Sequence, residues 1–457
     1  MIIFYLLIAV MPLSRHRIWG ALAGDLTGIK YLGMACLPYA LIRLAGQKNL
    51  PSFFGTRQAR LFLILYSIAT LSYFAEGRVP WHLSHWLSYT SFVVLFFVTL
   101  TLVRSVSTLR WVVLVAIGSL GFASLYVLRD WQQFRNVYPD YRPGWVVGDP
   151  NYFSVSALLF LPAAFLLMQA KRPRWEKLYC FGCFALTMTA LMLAASRGGF
   201  LGLIAGCIYL ILRSGHRLRN FVLVSTALLV ITPFTPLNPL ERFLHPTQSD
   251  EESKDTRMAL WTGGWGIMKN YPVFGIGLDN FSFFIAKYIP EENLPRYESV
   301  SRVAHNSYVD IAAEMGIPAL LVFVGILVCS FHTLEKVRRR AQASGDSTLQ
   351  RVTIGLQTGL VGAAVAIFFV SAQYQKLFWL VVFLTMCLPP LVRPEDDVAI
   401  RDPMKETVRQ RLVANHEPRL GGRQASNIGQ PVFSGINPLA RGRFRTESDL
   451  SPGKLSK

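Results

Sequence analysis

Charge is what this chain has least of. Of its 457 residues, 16% are charged, against about 25% in an ordinary soluble domain. That shortage, spread over many long apolar runs, excludes a water-soluble globular protein and places the chain among polytopic membrane proteins. Hydrophobic residues make up 52% of it, and the mean hydropathy is +0.36. Cysteine is scarce as well. Cys36, Cys180, Cys183, Cys207, Cys329 and Cys387 all sit inside or at the ends of apolar runs. That placement suits small buried hydrophobes and implies no disulfide framework. Cys180-Phe-Gly-Cys183 has metal or redox spacing, but no second pair and no nearby histidine completes it. A Walker-type phosphate loop is missing. The acidic run 249–255 lacks the glycine and regular oxygen spacing of a calcium loop and reads as a solvated loop. No metal site is expected. Removing the apolar runs leaves no soluble catalytic domain, so any chemistry must sit among the spans and their connections.

Acidic residues are also few, 27 against 46 Lys and Arg, for a formal net charge of +19. The excess lies in short loops and the tail rather than on one face, which fits orientation in a membrane better than a nucleic-acid partner. A span takes roughly 20 apolar residues. On that template about twelve candidates run near 1–13, 26–45, 59–75, 86–103, 110–128, 152–170, 177–195, 198–213, 219–235, 314–334, 352–372 and 375–392. The first has no positive charge ahead of it, and Arg15 and Arg17 follow it. It therefore reads as a short span rather than a signal peptide cut near Ala21-Leu22-Ala23. The connections after every second span carry Lys48, Arg57 and Arg60; Arg104 and Arg110; Lys171, Arg172, Arg174 and Lys177; Arg213, Arg217 and Arg219; and Lys336, Arg338, Arg339 and Arg340. By the positive-inside rule these are cytoplasmic, and so are both termini. The stretches 130–151, 196–199 and 237–304 then converge on the outer face. Residues 1–392, with the outer loop 237–304, are expected to form one transmembrane domain. The tail 393–457 is basic, poor in aromatics and disordered by composition. It can touch anionic lipid or be a spectator.

Four polar stretches carry the chemistry. In Ser196-Arg197-Gly198-Gly199 almost no loop separates two spans. Gly198, Gly202 and Gly206 recur at the small-residue spacing that lets membrane helices approach closely. An outward arginine runs against the charge bias, and its planar fork suits phosphate, so Arg197 is an anion-holding candidate. Next, Asp255 or Thr256 can cap a helix ended by Pro272, with Met258, Trp261, Trp265 and Met268 on one interfacial stripe. Arg257 then falls in its first turn, beside unpaired N–H groups, as a second anion candidate. Gly275-Ile276-Gly277 reads as a turn. Asp149 and Asn151, in Gly148-Asp149-Pro150-Asn151, are either a helix cap or contacts for a sugar hydroxyl.

Val303-Ala304-His305-Asn306-Ser307-Tyr308 is the fourth stretch and the centre of the reading. It places an imidazole at an outer helix entrance, among the polar side chains of Asn306, Ser307 and Tyr308. An imidazole titrates ordinarily at about 6.5, which suits a general base at neutral pH. Tyr308 falls on nearly the same helical face as His305. Glu314, nine residues on, is about half a turn out of phase on one straight helix; a structural role is expected for it.

Together these pieces, with Asn270-Tyr271-Pro272-Val273-Phe274-Gly275-Ile276-Gly277 and Glu314-Met315-Gly316, resemble the O-antigen ligase and polymerase superfamily of bacterial membrane proteins. The resemblance spans about residues 60–390 and is firmest over 190–330. It implies an all-α, GT-C-like membrane fold with a long, partly helical periplasmic loop, in the bacterial inner membrane. It also implies a metal-independent, inverting glycosyltransferase that needs no cofactor. The donor would be a glycan on undecaprenyl diphosphate, and the acceptor a hydroxyl of a glycolipid, glycan or protein. Arg197 and Arg257 match the arginines that hold the donor diphosphate, and His305 the histidine that activates the acceptor. Asp149, Asn151, Asn306 and Tyr308 are weaker substrate-binding candidates. An O-antigen-type polymerase is the near alternative. A transporter of an anion or lipid-linked sugar is the distant one, because transporters place charge at the midplane and break helices in matched halves.

Overall fold

The computed structural model describes residues 1–13, 28–47, 51–75, 83–138, 141–144, 149–213, 217, 219, 221, 222, 226, 248–289 and 303–392. The chain divides into two units, Met1–Arg401 and Asp402–Lys457. The second unit, the rest of the tail expected from 393 and most of the span expected at 219–235 lie outside the described residues.

Every described element is helical. In chain order they are α1 (Ile2–Val10), α2 (Gly28–Ala45), α3 (Arg57–Ala75), α4 (Leu83–Leu102), α5 (Val106–Phe134), α6 (Pro150–Met168) and α7 (Arg174–Leu193). There follow α8 (Arg197–Arg213), α9 (Gln248–Asn270), the one-turn α10 (Phe281–Phe284), α11 (Ser307–Ala343), α12 (Ser347–Ala366) and α13 (Lys376–Cys387). Of these, α5, α6, α7, α11 and α12 (continued to Phe369) are long and apolar enough to cross a membrane. The apolar helices at 2–13, 31–45, 86–102 and 376–387 are shorter.

The starts of these helices follow from local chemistry. Ser105 accepts the Thr108 amide at 3.1 Å and starts α5. Asp149 accepts the amides of Asn151 (2.6 Å) and Tyr152 (3.4 Å), with Pro150 at the first helical position, where its fixed φ and missing N–H cost nothing. Asp346 caps α12 in the same way. The most enclosed of the long helices are α6 and α12, 78% and 72% buried over their apolar windows, and they form the middle of the bundle. Their backbones touch: a Cβ on Gly359 would lie 2.3 Å from the Leu159 carbonyl oxygen. On the other side of α12, a Cβ on Gly202 would lie 2.5 Å from the Gly362 oxygen. The small-residue spacing read on α8 is thus met by a second one on α12.

The bundle has two chemically distinct ends. At one, Arg110 pairs with Glu176 (2.7 Å), and Glu335 gathers Arg213 (3.4 Å), Arg338 (3.0 Å) and Arg339 (2.7 Å). These are residues expected in the basic loops, and they collect on one side. The starts of α6, α8 and α11 and the end of α12 lie at the other.

One break shapes that second end. Gly316 departs from helical geometry at φ +84°, and Pro318 follows inside the same helix. A proline carries no N–H, so the Glu314 carbonyl four residues before it loses its helical partner. The 272–277 turn replaces what is lost. Ile276 donates to the Ala313 carbonyl (2.9 Å), Gly277 to Glu314 (3.0 Å), and Ile317 donates back to Pro272 (2.8 Å). Ser72 Oγ lies 2.8 Å from the Glu314 carbonyl oxygen and 2.9 Å from that of Phe274. The two motifs read separately in the sequence are therefore one interlocked unit. The Glu314 side chain accepts the Tyr374 hydroxyl at 3.2 Å.

Candidate active site

Three of the site segments are fastened at their backbones. Ala195, φ +46°, and His305, φ +51°, are among the few non-glycine residues in the left-handed region. Each such residue costs of order 1–3 kcal/mol and persists only where its surroundings fix it. His305 is held by both neighbours. The Ala304 amide donates to Asp310 Oδ1 at 3.0 Å, and its carbonyl accepts the Trp261 indole N–H at 2.9 Å. Asn306 Oδ1 accepts the amides of Tyr308 (3.0 Å) and Val309 (3.2 Å), capping α11.

Several expectations change here. Asn306 acts as the helix cap. His305 lies ahead of α11, and its positive φ takes it out of helical register, so the shared face expected with Tyr308 does not hold. The Tyr308 hydroxyl donates to the Ala364 carbonyl at 2.8 Å, fastening α11 to α12. Asp149 is the cap of α6, as one of its two readings had it. Asn151 is no cap: its Oδ1 accepts the Ser196 hydroxyl at 2.7 Å and the Arg142 Nη2 at 3.1 Å. That bond ties the start of α6 to the turn before Arg197.

Arg257 also sits differently. The helix expected to begin at Asp255 or Thr256 begins at Gln248, so Arg257 is mid-helix and meets no unpaired N–H groups. The acidic run read as a loop is helical: Glu251, Glu252, Lys254 and Asp255 stay in solvent, and Thr256 bonds the Glu252 carbonyl one turn back. Met258, Trp261, Trp265 and Met268 do share one face of the continuous helix, with Met258 and Trp265 exposed and Met268 buried. The buried face is Leu260, Gly263, Gly264 and Ile267, packed on Phe281, Ile285 and Val309. Arg257, one turn from Leu260 and Trp261, shares the side of α9 that meets α11.

The site segments meet at a stretch the sequence reading passed over, residues 367–375 between α12 and α13. Phe368 packs against Trp261 (centroids 5.2 Å) and Tyr308 (6.2 Å). Phe369 lies where a Cβ on Gly198 would be, 2.6 Å away. Ser307 Oγ donates to the Val370 carbonyl and accepts the Ala372 amide, both at 2.8 Å. Gln373 Nε2 donates to Asp310 Oδ2 at 3.2 Å, and the Tyr152 hydroxyl to the Ser371 carbonyl at 2.8 Å. One turn thus touches the neighbours of Arg197, Arg257, His305 and Asn151. Ser371 Oγ, Gln373 Oε1 and Gln375 Oε1 are buried without a hydrogen-bond partner among the described residues. Each is an acceptor left unmet inside the protein, at a cost of about 1–3 kcal/mol.

Arg142 and Asp310 were missed as well. Arg142 donates from Nε to the Ala194 carbonyl at 3.1 Å and bridges to Asn151, steadying the strained Ala195 turn. Like Arg197, it is an arginine on the side read as outward, against the charge bias. The polar run Ser371, Gln373, Gln375 between two apolar spans was the signal for the turn. Among the described residues no group of His, Cys, Asp and Glu is arranged to hold a metal ion.

The Asp149 cap gives a first expectation. Asp149→Ala should cost about 1 kcal/mol of stability, whereas Asp149→Ser restores a capping oxygen and should regain it, as read by thermal unfolding. An Asp149→Ser protein that is stable but inactive would show that the carboxylate does more than cap.

A search of curated proteins finds no match. Residues 182–324 match the family model described as O-Antigen ligase. That segment holds Arg197, Arg257 and His305 with the interlocked 272–277 and 313–317 turns, and the match supports the O-antigen ligase superfamily for this chain.

Proposed function

We propose that the protein transfers a glycan from undecaprenyl diphosphate to an acceptor hydroxyl at the periplasmic face of the bacterial inner membrane. In this reading the shorter apolar helices cross as well, giving about twelve spans with both termini cytoplasmic. The observation that carries it is the single 367–375 turn, which gathers the segments bearing Arg197, Arg257 and His305.

His305 takes the proton of the acceptor hydroxyl as its oxygen attacks the anomeric carbon. The bond from that carbon to the phosphate oxygen breaks, and the electron pair leaves with undecaprenyl diphosphate. Attack opposite the leaving group inverts the anomeric centre. Arg197 and Arg257 hold the diphosphate and offset the charge it gains, the term that dominates in such displacements. A ligase and a polymerase differ in the acceptor, a non-repeat glycan or a second lipid-linked repeat, and both use this chemistry.

The test is incubation of purified protein with a lipid-linked glycan and candidate acceptors, read by mass spectrometry. A charge-assisted hydrogen bond contributes about 1.5–3 kcal/mol. Arg197→Ala and Arg257→Ala should therefore each slow transfer by roughly 10- to 150-fold. Full turnover in both variants, or flux of substrate across proteoliposomes without a covalent product, would overturn the proposal.

A further inference from the structure

The end of the bundle away from His305 carries a cluster that glycan transfer does not use. Arg172, in the turn after α6, reaches the Thr348 hydroxyl in the first turn of α12. Arg351, one turn further along α12, donates from Nη1 to the Leu166 carbonyl at 3.2 Å. Arg219 donates from Nη2 to Gln169 Oε1 at 2.7 Å and lies close enough to Arg351 for their charges to interact. Three guanidiniums from three segments therefore meet over the last turn of α6. Among the described residues no carboxylate pairs with them. Of the acids near them in sequence, Asp346 is occupied by the Thr348 and Leu349 amides at 3.1 and 2.9 Å and Glu176 by Arg110 at 2.7 Å. Satisfying the terminal carbonyls of α6 accounts for one arginine, not for three, two of which, Arg219 and Arg351, repel each other.

A shallow apolar cleft lies between α6, α7, α8 and α12, lined by Leu161, Phe165, Phe184, Cys207 and Leu210 among others. It adjoins the cluster. Phe165 directly precedes Leu166, and Gln169, the partner of Arg219, donates from Nε2 to the Phe165 carbonyl at 3.2 Å. Trp111 and Trp175, exposed and stacked at 6.4 Å, flank the same end. Tryptophan concentrates at headgroup depth, which puts the arginines at the level of lipid phosphates.

We propose that this is a binding site for an anionic phospholipid, its phosphate held by Arg172, Arg219 and Arg351 and an acyl chain lying in the cleft. The guanidinium fork matches phosphate oxygens bidentately. A zwitterionic headgroup brings its own cation and leaves the three arginines uncompensated, while free phosphate makes no use of the cleft.

The experiment takes the full-length protein in neutral detergent and adds phosphatidylglycerol, phosphatidylcholine, an isoprenyl phosphate or inorganic phosphate. Retained adducts are read by native mass spectrometry and stability by thermal unfolding. Phosphatidylglycerol should be retained and raise Tm, binding tighter than phosphatidylcholine by roughly 10²-fold, at about a fivefold gain per arginine. Arg219→Gln with Arg351→Gln should erase most of that preference. Cys207→Phe, which fills the cleft, should weaken retention with all three arginines in place. Should either variant fail to fold, Arg219→Gln alone, which changes an exposed side chain, still has to lower the preference. Equal retention of the two phospholipids, or an unchanged preference in the arginine variants, overturns the proposal. So does a Tm rise from inorganic phosphate equal to that from lipid, or tighter retention of the isoprenyl phosphate.

Discussion

Replacing His305 with alanine should cut glycan transfer by about 10²–10⁴-fold, the contribution of a well-placed base, and leave a folded membrane protein. The expectation rests on how the stretch is held. The anchors that set its conformation come from other side chains: Asn306 caps α11, Asp310 holds the Ala304 amide, and Trp261 holds its carbonyl. Losing the imidazole leaves those bonds in place. His305→Asn sharpens the test, because asparagine tolerates the left-handed backbone that His305 adopts at φ +51°. That variant should unfold at the wild-type temperature and be as inactive as the alanine variant. Wild-type transfer in His305→Asn would remove the base from the mechanism.

Gly275→Ala should have the largest effect on folding. A Cβ there would lie 2.3 Å from the Glu314 carbonyl carbon, 2.4 Å from its oxygen and 2.5 Å from the Ala313 oxygen. All three are backbone atoms that cannot swing aside. Making room pulls the 272–277 turn off the broken helix and strips the amide bonds to Ala313 and Glu314. The Ala313 carbonyl left unmet at about 1–3 kcal/mol, the Glu314 carbonyl keeping the Ser72 hydroxyl, plus a strained alanine at about 1–3 kcal/mol, add to a loss on the order of 2–6 kcal/mol. Its upper end is comparable with the whole stability of many domains. Gly345→Ala is the control. It shares the left-handed conformation, φ +71°, but has nothing within 4 Å, so it should lose only about 1–2 kcal/mol. Thermal unfolding of the two variants side by side separates packing from backbone strain. Equal losses would mean that the interlock is not what holds the turn.

What was legible in the sequence is what depends on neighbours along the chain. Hydropathy located the helices because a span must be apolar over its whole length. Loop charge gathered Arg110, Arg213, Arg338 and Arg339 on one end because that bias is itself written in the loops. The start of α9 was not legible, since Asp250, Glu251, Glu252 and Lys254 suit an exposed helix as well as a loop, and only burial of Leu260 and Ile267 on α11 decides between them. The left-handed turn at His305 was hidden for a related reason. Its cause is the Trp261 and Asp310 bonds to Ala304, and the first arrives from 43 residues away. The 367–375 turn is the largest omission. Its residues form no motif alone, and their meaning comes from Gly198, Trp261, Ser307 and Tyr152 packing on them.

The central claim is that Arg197, Arg257 and His305 act on one lipid-linked donor and its acceptor. The most direct measurement is a structure of the full-length protein determined with a lipid diphosphate glycan bound. The account predicts diphosphate oxygens within about 3 Å of both guanidiniums and the anomeric carbon on the side facing the His305 imidazole. A diphosphate bound away from Arg197 and Arg257, or an anomeric carbon that no acceptor held by His305 can reach, would contradict it.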